Sequence, residues 1–251
     1  MKIAGILSYV GSAYMGFQRQ KNHPSIQSKL EEVLSIVVGK EVTIKAAGRT
    51  DAGVNAKGQV FAFEIDRKPN LKSFKHALNR LLPKDIAVKR LIEVPDGFDP
   101  RHSSIKKEYS YHFYYGEKDP FKKETYGYFA MPGFKVEPFF EALQVFLGEH
   151  DFFCFTSKKD DKDGFIRNIE KIDCKVDEDK KEGCITLISN GFMTYQIRYM
   201  VGSAYMVSYG KNTIEDIKAS LLDRNKKATS YKAPAEGLTL ERVYYDERFG
   251  L

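Results

Sequence analysis

Hydrophobic periodicity along this chain switches between two and about 3.6 residues in the order β-α-β-β-α-β, and that order then begins again, which leaves few folds open. Residues 2–9 read as a strand. A helix follows over 26–38, with Ile26, Leu30, Val33, Leu34 and Val37 on one stripe and Ser25 as its N-cap. Strands over 41–47 and 59–66 come next, then a helix over 71–82 carrying Leu71, Phe74, Leu78 and Leu81 on one face, then a strand from Ile86 to Val94. This is the split βαβ pattern, an antiparallel sheet with two helices on one face.

The turn-rich run Pro95-Asp96-Gly97-Phe98-Asp99-Pro100 separates the two rounds. In the second, Tyr109, Tyr111, Phe113 and Tyr115 alternate on a strand, and a helix over 137–147 carries Pro138 in its first turn. Strands over 168–176 and 184–189 flank the charged turn Asp177–Gly183. A helix over 194–208 has Ile197, Val201, Ala204 and Val207 or Ser208 inward, a shorter one over 213–222 starts at the cap Thr213, and a last strand covers 238–245. Residues 157–167, rich in Lys and Asp, lack periodicity and read as a surface loop. The predicted class is α+β: two tandem split-βαβ domains of the ferredoxin-like or RRM-like kind, residues 1–98 and 99–251, whose antiparallel sheets form a central cleft.

With 251 residues, 42% hydrophobic, the chain can bury a full core. It has no apolar run of about 18 residues, and its start turns polar too early for a signal peptide, so a cytoplasmic protein with no membrane contact is expected. Cys154, Cys174 and Cys184 are odd in number and lack Cys-x-x-Cys spacing or clustered histidines, so neither a disulfide framework nor a metal site is indicated; each is expected to be a small buried apolar residue. A net charge of +6 permits a polyanionic partner. The basic pairs Lys106-Lys107, Lys122-Lys123, Lys158-Lys159 and Lys226-Lys227 would support RNA binding if several converged on one face with Arg49.

The chemistry concentrates in Gly48-Arg49-Thr50-Asp51-Ala52-Gly53-Val54, a carboxylate between two glycines with an arginine two residues before it and strand patterns on both sides. Exposed at a strand-to-loop corner, Asp51 could be a nucleophile. The same residues also suit an ordinary turn with a surface Arg–Asp pair.

This segment, with Gly58-Gln59-Val60 after it, resembles the active-site motif of the TruA family of pseudouridine synthases. The resemblance runs nearly end to end: Tyr14-Met15-Gly16-Phe17-Gln18-Arg19-Gln20, Leu82-Pro83-Lys84-Asp85-Ile86, Phe98-Asp99-Pro100-Arg101-His102-Ser103-Ser104, Lys107-Glu108-Tyr109, Arg167-Asn168-Ile169, Ile197-Arg198-Tyr199-Met200-Val201-Gly202 and Ala233-Pro234-Ala235-Glu236-Gly237-Leu238. Two positions depart from it. Val10 stands where the family usually has Asp, and Asn55 where it commonly has His.

The resemblance implies isomerisation of uridine to pseudouridine in transfer RNA, at nucleotides 38 to 40 of the anticodon stem and loop, without a cofactor and by a cytoplasmic homodimer. It assigns Asp51 as nucleophile or base, and Arg198 as the cation that keeps that carboxylate ionised in a dry pocket. Without the resemblance, Arg198 in its apolar helix reads rather as a side chain whose stem packs while its head reaches solvent. Tyr109 would stack on the base and assist proton removal from C5. It is also one of 15 tyrosines that could simply pack. Arg49 would enter the RNA as the nucleotide leaves the stack. Gln18, Arg19, Gln20 and Asn55 lie on the implied RNA path, although the first three also suit ordinary exposed polar residues. The competing expectations are a paralogue acting elsewhere in transfer RNA or on ribosomal RNA, a non-catalytic RNA-binding module using Tyr109, Tyr111 and Phe113, and a small-molecule enzyme on the same fold.

Overall fold

The first apolar stripe becomes a helix because both its ends are capped. Ser25 accepts from Ser28 N in a capping box, and Gly39, at φ +80°, closes the far end of α1 (Ile26–Val38). In this computed structural model, which describes residues 1–158, 160, 164–226, 229 and 231–251, the chain forms two compact units, residues 1–107 with 239–251, and residues 108–238.

The first unit opens with β1 (Lys2–Tyr9), then α1, β2 (Lys45–Ala46), β3 (Asn55–Glu64), α2 (Leu71–Leu81) and β4 (Ile86–Val94). β1 pairs antiparallel with β3 and with β4. At the β1–β4 bulge the backbone of Val88 is satisfied by Asn79 of α2, which donates to its carbonyl at 2.9 Å and accepts from its N–H at 2.7 Å. Ile26, Leu30 and Leu34 of α1, Phe74 and Leu78 of α2, and Ile3, Leu7, Phe61 and Phe63 from the strands are buried. Each such side chain contributes about 2 kcal/mol by leaving water.

The second unit contains β5 (Lys106–Tyr115, its first two residues belonging to the first unit), β6 (Gly127–Phe129), α3 (Val136–Gln144), β7 (Gly148–Asp151), β8 (Ile166–Asp177), β9 (Glu182–Ser189), α4 (Gln196–Ser208) and α5 (Ile214–Leu222). Its strands run β5-β9-β8-β7, with β6 parallel to β5. Phe113 and Phe129 stack at 4.9 Å, Phe139 meets Phe113 edge-on at 5.3 Å, and Tyr205 of α4 lies 4.1 Å from Phe129. The chain ends on β10 (Leu238–Tyr244), which pairs parallel with β3 in the first unit.

The α+β class stands, with two parallel pairings added to the expected antiparallel ones. The expected strand over 41–47 shrinks to Lys45–Ala46 because α1 takes its backbone donors. Val42 N–H donates to Ser35 Oγ and Ile44 N–H to Glu31 Oε1. The helix expected from 194 starts at Gln196, behind Tyr195 in the left-handed region at φ +64°. The expectation of buried cysteines fails: all three are half-buried, none in a disulfide, with Cys154 Sγ at 3.0 Å from the Lys226 carbonyl. Part of the segment read as a loop, residues 159 and 161–163, and Lys227 of a basic pair lie outside the described residues. Among the described residues no helix is long and apolar enough to cross a membrane.

Candidate active site

Asp51 lies in the connection between β2 and β3, whose backbone is tied at several residues. Ala47 N–H donates to the Val60 carbonyl at 2.8 Å, and Gln59 Nε2 to the Gly48 carbonyl at 3.0 Å. The Thr50 carbonyl accepts from Phe17 N–H at 3.0 Å, and its hydroxyl pairs with the Tyr9 hydroxyl at 2.8 Å. Val54 N–H donates to the Asp51 carbonyl at 3.1 Å, closing a turn through Gly53 at φ +78°, a conformation that favours glycine. From the other side the 10–17 segment packs so closely that a Cβ on Gly11 would collide with the Val54 carbonyl. Thr50 and Val54 are buried, Asp51 is half-buried and Arg49 is exposed. The carboxylate is thereby carried on a fixed backbone.

Of the neighbouring candidates, Gln18 is exposed. Arg19 is engaged within the fold, its Nε donating to Glu31 Oε2 at 3.0 Å with a second guanidinium N–H on the same oxygen. Gln20 Nε2 donates to the Met15 carbonyl at 2.7 Å. Asn55, the first residue of β3, is buried, and its Oδ1 accepts from Gly11 N–H at 2.8 Å.

In the second unit, Arg198 is 9% exposed. Its Nε donates to the Ala233 carbonyl at 2.7 Å, while Ala233 N–H donates back to the Arg198 carbonyl at 3.0 Å. One turn further on, a Cβ on Gly202 would collide with the Tyr231 carbonyl, so the 231–233 segment lies directly on α4. The guanidinium carbon stands 5.6 Å from the Tyr195 ring, which Lys232 Nζ also approaches at 3.7 Å. Tyr109 is half-buried, its ring edge-on to Phe192 at 5.3 Å and 82°.

Residues 6–103 and 142–246 match the family described as tRNA pseudouridine synthase. This chain belongs to the tRNA pseudouridine synthase family. It is 37% identical over 246 residues to the tRNA pseudouridine synthase A of Anoxybacillus flavithermus, covering 98% of this chain and 99% of that one. It is 36% identical to that of a Geobacillus species (98% of both chains) and 33% identical to that of Citrifermentans bemidjiense (97% of both). Membership makes the chain an isomerase of the TruA kind.

Several residues around the synthase motif escape a reading of the sequence. Lys107 Nζ comes within 3.5 Å of where a Gly48 Cβ would stand, putting a cation beside the loop. Tyr9 and Gln59 lie beneath it. Their signal was weak: Gln59 is a polar residue inside an apolar strand run, and Tyr9 is one tyrosine among 15.

Proposed function

We propose that this synthase converts uridine to pseudouridine at positions 38 to 40 in the anticodon stem and loop of transfer RNA, with Asp51 as nucleophile or base. The observation that carries the proposal is a half-buried carboxylate on a loop whose backbone is held at Gly48, Thr50 and Val54. The names of the relatives supply the reaction and the RNA class.

In the reaction the N1–C1′ bond breaks, the uracil turns, and a C5–C1′ bond forms. C5 loses a proton and N1 ends with one, so atoms balance and no redox change occurs. Asp51 attacks C1′ or C6, or acts as base, and must be ionised to do so. Partial burial alone would favour its neutral form, so the proposal pairs it with Arg198, a residue that stays charged and is withdrawn from water on α4. Holding the guanidinium by its Nε on Ala233 leaves the outer nitrogens to face a carboxylate. Tyr109 stacks on the base and assists loss of the C5 proton. The exposed Arg49 enters the helix as the nucleotide leaves it. Gln18, Arg19, Gln20 and Asn55 line the RNA path, Gln18 from an exposed position and the other three with polar groups that also hold the fold. The enzyme acts in the cytoplasm as a homodimer whose combined charge holds the RNA.

A non-catalytic module using sheet aromatics is disfavoured, because Tyr111 and Phe113 are both 0% exposed and cannot stack on bases. The test is to incubate the purified protein with transfer RNA from cells lacking this modification and map pseudouridine by sequencing. New pseudouridine at 38 to 40 is the expected result. Conversion only at another position, or none, overturns the assignment.

A further inference from the structure

The loop that carries Asp51 rests on buried polar side chains that the proposed reaction does not use. Gln59 is 0% exposed, in the middle of β3 between Gly58 and Val60. Its Nε2 holds the Gly48 carbonyl at 3.0 Å, yet its buried Oε1 has no hydrogen-bond partner among the described residues. A buried amide kept with one end unpartnered points to a purpose for the bond its other end makes. A second buried polar residue, Tyr9, holds the same loop. Burial drives that phenol's pKa well up, and the side chains of Thr50 and then Gln59 pull it partly back. Tyr9 therefore stays protonated throughout the working pH range and always has a proton to donate. It also sits 2.8 Å from the Thr50 hydroxyl.

We infer that Tyr9 and Gln59 are positioning residues that set the direction of Asp51, Tyr9 through the Thr50 hydroxyl and Gln59 through the Gly48 carbonyl. Together they grip the loop at two points, one on each side of Arg49 and both ahead of Asp51. The backbone bond from Phe17 N–H to the Thr50 carbonyl supplies the third point. With three fixed points within three residues, the Cα–Cβ direction of Asp51 is set before RNA arrives, and misplacing a reacting group by about 1 Å can cost about 100-fold in rate. The arrangement is held by β1 and β3, which pair antiparallel from Lys2 with Glu64 to Tyr9 with Ala56. It is therefore anchored on strands and not on the loop it steers.

This inference rests on Asp51 as the reacting carboxylate, so its test carries an Asp51→Ala arm. Tyr9→Phe removes one hydroxyl and keeps the ring. Gln59→Met removes both polar ends at similar length, and Thr50→Val and Thr50→Ser respectively break and keep the hydroxyl. Single-turnover rates and KM on an anticodon stem-loop substrate are read beside the melting temperature. The expected result is a fall of 10- to 100-fold in rate for Tyr9→Phe, Gln59→Met and Thr50→Val, KM within about twofold, and recovery to within about threefold of wild type for Thr50→Ser. A double variant Tyr9→Phe/Gln59→Met should lose more than either single one, because each removes a different grip on the loop. If Asp51→Ala is inactive while Tyr9→Phe and Gln59→Met react at the wild-type rate, or lose rate only in step with melting temperature, the positioning role is overturned and the Asp51 assignment stands. If Asp51→Ala reacts normally, the Asp51 assignment itself is overturned.

Discussion

Asn55 illustrates how far a residue's place in the fold narrows its role. Its amide oxygen is buried and takes Gly11 N–H, where the segment 10–17 packs on the Gly48–Val54 loop. Replacing it by Ala leaves that N–H without this acceptor, and we expect Asn55→Ala to cost about 2 kcal/mol in urea denaturation. A change below about 0.5 kcal/mol would mean that water or another group takes over. The Gly48–Val54 motif was legible from its glycines, its carboxylate and the strands around it, since all of these are local. The support beneath it was not. Tyr9 reaches Thr50, and Gln59 the Gly48 carbonyl, only once the strands around the loop have paired, and no periodicity in the sequence reports a hydrogen bond between residues 41 positions apart.

Among the elements, those with a long stripe and a capping residue were legible almost to the residue, as in α1 behind Ser25 and α5 behind Thr213. β6 and β7 were not, being three and four residues long, with Gly-Glu-His-Asp offering no apolar alternation. β2 was misjudged in length because Val42 and Ile44 are buried, as a strand pattern predicts, but hand their N–H groups to side chains of α1. α4 supplies the prediction at this scale. Gly to Ala within a helix ordinarily stabilises by about 1 kcal/mol. At Gly202 the new methyl would strike the Tyr231 carbonyl, so Gly202→Ala should instead destabilise by about 2 kcal/mol and displace the segment that holds Arg198. Thermal melting and the rate on RNA should both fall; a higher melting temperature would contradict this packing.

Over the whole molecule, the buried phenols and one thiol set an alkaline limit. Burial drives the pKa values of Tyr9, Tyr111 and Tyr245 upward, and pushes the Cys174 thiol from 9.0 to about 12. These groups hold their protons more tightly when folded than unfolded. The stability they contribute is complete below their unfolded values, near pH 9 for the thiol and about 10 for the phenols, and is lost as pH rises beyond them. Tyrosinate absorbance of the buried set should therefore appear together with loss of circular dichroism above about pH 10. Titration of all 15 tyrosines near pH 10 with unchanged dichroism would refute it.

The measurement that bears most directly on the account as a whole is conversion and binding by Asp51→Asn, which keeps the size of the side chain and removes its charge. Given modification-free transfer RNA, the variant should bind it with nearly wild-type affinity and form no pseudouridine in a single turnover, whereas wild-type rates of conversion by Asp51→Asn would contradict the claim that this carboxylate carries the reaction.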